Sequence, residues 1–188
     1  MVGYSRIKGE VFKFQKNYEE IAPKVNIETK ILRLNEVTRQ QWKQLKQLQG
    51  KFAVTYLKLR YGSPDTRILL AFCKEKLIYV EWVVPAKKIQ HRYHFVTKNS
   101  YLIISCLTSP DFRGKGIYPS QLRRVVESSI PTDTYWGLAA STNIPSLKGI
   151  YKAGGVKVGE FVQKKWFWGC VSHIKYFPKE SDDEQREE

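Results

Sequence analysis

The sequence lacks the features of a membrane-spanning, secreted or metal-binding protein. No run approaches the roughly 18 apolar residues that a transmembrane helix needs. The start of the chain lacks the apolar stretch of a signal peptide. The three cysteines lie far apart, so they form neither a disulfide framework nor a Cys-x-x-Cys metal pair. We therefore expect a soluble, cytoplasmic protein without membrane insertion and without a metal site.

Acidic residues are scarce outside the end of the chain. Residues 180–188 hold six acids and one base, so the rest of the chain carries a formal charge of +19, against +14 for the whole. Such a charge favours an anionic partner: a nucleotide, a phosphorylated cofactor, nucleic acid or an anionic membrane surface. A solubilising surface charge is the plainer alternative. The 42% of hydrophobic residues exclude wholesale disorder.

The hydrophobic pattern divides the chain into three parts. Residues 1–28 show no clear period, and we interpret them as an N-terminal extension. Residues 29–177 carry the periodic segments and form the predicted domain, and 178–188 form a predicted acidic, disordered tail. The clearest signal starts at a capping box, Thr38 to Gln41, and continues with apolar residues three and four apart to Leu59. It predicts one long amphipathic helix that ends near Gly62.

The other periodic segments predict a mixed α/β (α+β) fold. Helices are expected after residue 116 and after Asn143, which is a favourable N-cap residue. A hairpin is expected around residues 74–76. The predicted strands are 30–34, 67–72, 77–84, 101–107, 135–140, 156–168 and 171–177.

The strand at 101–107 leads into a glycine-rich turn and then a helix. The turn reads Arg113-Gly114-Lys115-Gly116. Glycines let the backbone approach a phosphate closely, and unpaired amides at a helix N-terminus point at the anion. Neither GxxxxGK[S/T] nor GxGxxG occurs, so this is not a Walker loop or a dinucleotide fingerprint.

The turn resembles the coenzyme A loop of the GNAT acyltransferase superfamily, [Q/R]-x-x-G-x-[G/A]. A second segment, from Asn143 to Gly154, is similar to the family's Asn-x-x-Ser-x-x-x-Tyr-x-x-x-Gly segment, with the final spacing tighter by one residue. The resemblance covers roughly residues 29–177. It implies a mostly antiparallel central sheet, flanked by helices and splayed at the cofactor-binding strand.

The resemblance also implies acetyl-CoA, or another acyl-CoA, as co-substrate. Amides of the turn would hold the pyrophosphate, two basic side chains would add charge, and the strand edge would pair with the pantetheine arm. Tyr118 departs from the family, which keeps a small residue there, so its side chain either shifts the pyrophosphate or shapes the acyl pocket. The implied cofactor-binding residues are Cys106, Leu107, Thr108, Arg113, Gly114, Lys115, Gly116, Ile117, Tyr118, Asn143 and Ser146.

Acyl transfer to an amine needs a deprotonated nucleophile and a proton for the leaving thiolate. The resemblance implies that Tyr151 supplies this proton. The base stays open, because Leu102 stands where family members often carry a glutamate. Glu81 on the preceding strand is one candidate, and His94 acting through water is another. An amine that arrives deprotonated would need no base.

These residues favour an N-acyltransferase that acts on an amine acceptor by direct transfer. The basic run at 87–94 favours an anionic acceptor, and the form Arg-Gly-Lys-Gly-Ile-Tyr-Pro resembles GNAT members of bacterial surface-polysaccharide synthesis. We therefore expect a nucleotide-linked amino sugar, with a protein, a peptide or a small amine as the alternative acceptor.

Two hypotheses without catalysis compete with this function. A GNAT fold that binds coenzyme A without turnover is one of them. A basic nucleic-acid-binding module is the other, because bases and aromatics interleave at 164–168. No RNP, KH or zinc-knuckle pattern accompanies this run, which makes nucleic acid the less favoured partner. Trp166 and Trp168 on one strand face favour core packing or a homodimer.

Overall fold

A computed structural model describes residues 4–16, 19, 21–128, 133–166 and 171–179. These residues form one eight-stranded sheet with four α-helices. The helices are α1 (Arg39–Gln49), α2 (Lys51–Tyr61), α3 (Ile117–Glu127) and α4 (Ile144–Lys152). The strands are β1 (Tyr4–Phe14), β2 (Glu28–Arg33), β3 (Arg67–Cys73), β4 (Lys76–Pro85), β5 (Ser100–Thr108), β6 (Thr134–Ala140), β7 (Gly155–Trp166) and β8 (Val171–Pro178).

The strand order is β2-β3-β4-β5-β6-β1-β7-β8. Every neighbouring pair is antiparallel except β5 and β6, which are parallel. The predicted mixed, mostly antiparallel sheet flanked by helices is therefore confirmed. In the part of the chain that the structure describes, no helix is long and apolar enough to cross a membrane. The acidic stretch 180–188 and residues 167–168 of the basic aromatic run lie outside the described residues.

Strand β1 lies inside the sheet, between β6 and β7, in a region where the sequence predicted no element. A Cβ atom at Gly9 would lie 2.3 Å from the carbonyl oxygen of Ala139, so only glycine fits at this position between β6 and β7. Val11 packs into one core, and Phe12 and Phe14 pack into the other. Because both faces are covered, β1 shows no two-residue hydrophobic period. The sheet thus begins well before residue 29.

The segment predicted as one long helix is two helices. The capping box at the start of α1 is confirmed: Thr38 Oγ1 accepts a hydrogen bond from the Gln41 amide at 3.2 Å, and Gln41 Oε1 accepts one from the Thr38 amide at 2.9 Å. Gly50, with φ of +89°, ends α1, and α2 begins at the next residue. The prediction of a single helix was wrong, because the spacing of the apolar residues continues across Gly50 although the helical backbone is interrupted there.

The helices cover the two faces of the sheet. Helices α1 and α2 pack on the face that contains Trp82 and Leu102. Helices α3 and α4 pack on the other face, which contains Ile103 and Tyr135. Asn143 caps α4 as predicted, because its side chain accepts a hydrogen bond from the Ser146 amide at 3.2 Å. This arrangement places the start of α3 and the start of α4 beside the ends of β5 and β6.

Candidate active-site cleft

Strands β5 and β6 separate halfway along their length. Their parallel pairing begins at Ser100 with Thr134 and ends at Ile103 with Gly137. The remainder of β5 continues to Thr108 while still paired with β4 on its other side. Its edge toward β6 is therefore free to pair with an extended, amide-bearing ligand. The predicted splay at the cofactor-binding strand is confirmed.

A β-bulge lies where the two strands part. Val80 of β4 faces Leu107 and Trp82 faces Ile104, so Ser105 and the residue after it lie opposite a single β4 residue. Ser105 has a φ of +55°, a conformation that is uncommon for a residue with a side chain.

Gln49, the last residue of α1, hydrogen-bonds to this bulge from the sheet face that α1 and α2 cover. Gln49 Nε2 donates a hydrogen bond to the Ser105 carbonyl oxygen at 2.8 Å. Gln49 Oε1 in turn accepts a hydrogen bond from the Trp82 indole at 3.1 Å. Gln49 thereby connects the bulge in β5 with Trp82 of β4.

The separated strands enclose a cavity of about 190 Å³. Four of the residues predicted to bind the cofactor line it: Cys106, Tyr118, Asn143 and Ser146. Ile104, Leu138 and Ile150 supply part of its apolar wall. The cavity lies between the N-terminal ends of α3 and α4 and the free edge of β5.

The glycine-rich turn lies between the end of β5 and the start of α3. Gly114 and Gly116 have φ of +74° and +75°, and α3 begins at the next residue. Within the described chain, the amides of residues 114–116 donate to no other backbone group. A Cβ atom at Gly114 would meet nothing within 4 Å. The residues present therefore fit a phosphate group, which needs close backbone approach and free N–H donors.

Several side chains fix this turn and make it positively charged. Arg113 Nε donates a hydrogen bond to the Thr108 carbonyl oxygen at 3.3 Å, which holds the guanidinium near the end of β5. Lys115 Nζ lies 4.7 Å from the centre of the Phe112 ring. The Lys24 amide donates to the Lys115 carbonyl oxygen at 2.9 Å. Part of the predicted N-terminal extension therefore supports the turn.

Tyr118 points into the cleft. Its ring lies 6.3 Å from the Tyr79 ring, and a Cβ atom at Gly149 would come within 2.4 Å of it. Burial raises the pKa of the phenol well above its usual value. The Tyr118 side chain therefore forms part of the cavity wall.

Glu81 lies immediately behind the cavity wall. Its side chain is 0% exposed, and Tyr79 Oη donates a hydrogen bond to its Oε2 at 2.5 Å. Cys106 Sγ lies 4.0 Å from the same oxygen. Glu81 Oε1 bonds to no described residue. Burial raises the pKa of this carboxyl to about 8.

The raised pKa of Glu81 predicts a pH-dependent stability. The folded state holds the Glu81 proton up to about pH 8, whereas the unfolded chain loses it near 4.5. The free energy of unfolding should therefore fall with rising pH between these values, by up to about 1.4 kcal/mol per pH unit. In Glu81→Gln this contribution should vanish. Urea unfolding of both proteins across pH 4 to 9 measures it, and parallel curves would contradict the assignment.

Tyr151 and His94 do not reach the cleft. Tyr151 is 47% exposed, and its hydroxyl donates a hydrogen bond to Glu10 Oε2 at 3.1 Å. Ile150, the residue before it, faces the cavity instead. His94 is exposed and precedes β5, whereas the glycine-rich turn follows it. The nine residues of β5 place roughly 25–30 Å between the start of this strand, which His94 precedes, and its end at the glycine-rich turn.

Several residues that shape the cleft were not predicted from sequence, and Phe14, Ser105 and Gly149 matter most among them. Phe14 lines the cavity from β1, where no strand was expected. Ser105 forms the bulge, although nothing in its sequence context indicates a positive φ. Gly149 gives the Tyr118 ring its space, and its position inside a helix, where glycine is unfavourable, was the available signal.

No protein-family model and no curated protein matches the chain. Solved structures do match it. A GNAT-family acetyltransferase from Colwellia psychrerythraea aligns with a TM-score of 0.54 and 13% identity, over 87% of this chain and 57% of that one. A GCN5-related N-acetyltransferase from Sphaerobacter thermophilus aligns with a TM-score of 0.57 and 12% identity, over 96% and 55%.

A third match is to AAC(6')-Ib, solved in complex with paromomycin and acetyl-CoA. It aligns with a TM-score of 0.55 and 12% identity, over 86% of this chain and 98% of that one. The chain spans little more than half the length of the Colwellia and Sphaerobacter proteins. At these identities the comparison defines the fold: the chain has the fold of the GNAT acetyltransferases.

Proposed function

We propose that this protein is an acyl-CoA-dependent N-acyltransferase, with acetyl-CoA as the donor, that transfers the acyl group directly to an amine. The observation that carries the proposal is the cleft itself. A free strand edge, a cavity of about 190 Å³ and a turn whose amides bond to no described backbone group follow one another from the middle of β5 to the start of α3. The GNAT-like fold of the chain supports it.

The residues around the cavity have the chemistry that acyl transfer needs. Bound acyl-CoA supplies the acyl group as a thioester. A base must take a proton from the amine, and an acid must return one to the departing thiolate. Glu81 is the favoured base, because its unpaired oxygen lies behind the wall at Cys106. A carboxyl with a pKa of about 8 is largely protonated at neutral pH, so this role needs its ionised form, which becomes substantial near pH 8.

Two tyrosines are candidates for the acid. The family resemblance favours Tyr151, whose hydroxyl bonds to Glu10 at the surface. The geometry favours Tyr118, whose ring lines the cavity. The raised pKa keeps this phenol protonated at neutral pH, so its hydroxyl is present as a proton donor when the thiolate leaves. We therefore assign this role to Tyr118.

The acceptor that we favour is anionic, with a nucleotide-linked amino sugar as the example. Its support is the +19 charge of residues 1–179 and the form of the turn. The basic run at 87–94 contributes less than its sequence suggests, because it lies at the far end of β5 and Lys87 pairs with Asp65. A protein, a peptide or a small amine stays the alternative acceptor.

Calorimetric titration with acetyl-CoA, followed by an acceptor screen that measures released coenzyme A thiol, tests the proposal. We expect saturable binding of acetyl-CoA and turnover with at least one class of amine. Phosphorylated and nucleotide-linked amino sugars should outperform neutral amines, and their KM should rise with salt because the attraction is screened.

Each other outcome points to a different function. Binding without turnover across the screen would favour a coenzyme A-binding protein. Salt-dependent binding of an oligonucleotide without any binding of acetyl-CoA would favour the nucleic-acid module and overturn the proposal. Turnover that is fastest with neutral amines would keep the enzyme and remove the anionic acceptor.

A further inference from the structure

Helix α2 has a second apolar face that points to solvent. Phe52 is 90% exposed, Leu59 is 83% exposed and Tyr56 is 40% exposed. Their spacing of four and three residues places them on one side of the helix. The core-facing residues Val54 and Leu57 occupy the other side. No described residue covers this stripe, although burying large side chains of this kind is strongly favourable.

Helices α1 and α2 carry charge of one sign only. Between residues 39 and 61 every charged residue is a lysine or an arginine, and none is acidic: Arg39, Lys43, Lys46, Lys51, Lys58 and Arg60. Four of these cations surround a shallow groove of about 1270 Å³ between α1 and α2, with Trp42, Val54 and Leu59 in its wall. We call the exposed stripe together with these six cations the α1–α2 surface.

Two of the six cations, Lys58 and Arg60, lie beside aromatic rings. Lys58 Nζ is 4.3 Å from the centre of the Trp42 ring, and the Arg60 guanidinium carbon is 5.9 Å from that of Tyr56. Three further basic residues, Lys88, His91 and Arg92, share a small cavity with Arg60 and extend the basic region. A partner for this surface must therefore offer apolar volume and negative charge side by side.

We propose that the α1–α2 surface docks on an anionic lipid bilayer, with Phe52 and Leu59 inserted among the acyl chains and the six cations among the headgroup phosphates. An exposed apolar helix face flanked by lysine and arginine is the arrangement that binds the plane of a membrane interface. Helix α2 has 11 residues, so it lies on the bilayer and does not cross it.

Other partners would complement only the charges or only the apolar side chains of this surface. Nucleic acid would pair with the cations but leave Leu59 in water. A second copy of the chain would cover the apolar stripe but bring six cations against six cations. An anionic bilayer accommodates both sets of side chains.

Co-sedimentation with vesicles tests the proposal. We expect the protein to pellet with vesicles of phosphatidylglycerol and phosphatidylcholine and to stay in the supernatant with phosphatidylcholine alone. The double variant Phe52→Ser/Leu59→Ser should lose at least about ten-fold in partition. The matched control is Phe177→Ser, which removes a 48% exposed ring from β8 at the other side of the sheet. Its partition should not change.

Two further measurements show whether the double variant is otherwise intact. Its melting temperature and its affinity for acetyl-CoA should match those of the parent, because both side chains are exposed and lie on α2 rather than at the turn. These measurements separate a failure of membrane docking from a failure of the proposed enzymatic function. Equal binding to neutral vesicles, retained binding by the double variant, or a concentration-dependent dimer that the double variant abolishes would each overturn the proposal.

Discussion

Gly116→Val is expected to abolish acetyl-CoA binding, with a loss of roughly 100-fold or more in affinity, equivalent to about 2.7 kcal/mol. Gly116 has a φ of +75° and forms the N-cap of α3. A β-branched residue in the left-handed region costs roughly 1–2 kcal/mol or more, which the turn can relieve only by moving its amides. Those amides are the proposed pyrophosphate donors, so the strain and the loss of ligand contacts add. Calorimetric titration measures the effect.

Gly50→Val is the matched control for this variant. Gly50 has a φ of +89° and a ψ of +141° and nothing within 4 Å of its Cβ position, so the substitution strains the backbone between α1 and α2 at least as strongly. It should lower the melting temperature without changing the affinity for acetyl-CoA. If both variants bind as the parent does, or both lose binding equally, the turn at residues 113–118 is not the phosphate site.

The parts of the fold that sequence predicted correctly are those with local causes. The capping box of α1, the cap of α4 at Asn143 and the strand-turn-helix around Gly116 each depend on a few adjacent residues. Strand β1 could not be predicted in this way. Its place between β6 and β7 depends on partners more than 100 residues away, and its two covered faces remove the alternating pattern.

Which side chains line the cleft depends on geometry that sequence does not carry. The bulge at Ser105 results from pairing with β4, so no local residue pattern indicates it. The tyrosine assignment depended on helical phase. One residue turns the side chain by about 100° around a helix, and here that step directs Ile150 into the cavity and Tyr151 to the surface. In the segment from Asn143 to Gly154, Tyr151 lies one residue nearer to the final glycine than in the family pattern. This spacing was the signal of the rotation.

Tyr118→Phe is expected to lower kcat by roughly 100-fold or more, as for loss of a general acid, while the affinity for acetyl-CoA changes little. The ring should keep its packing against Gly149 and Tyr79, because only the hydroxyl is removed. The matched variant is Tyr151→Phe, which removes a partly exposed hydroxyl that bonds to Glu10 among the described residues and should leave kcat within about two-fold. Steady-state rates with one amine acceptor, measured for both variants, decide between the residues. The reverse result would return the proton-donor role to Tyr151, and would mean that α4 rotates or shifts when the ligand binds. Equal, small effects in both would remove tyrosine from the chemistry and leave water as the source of the proton.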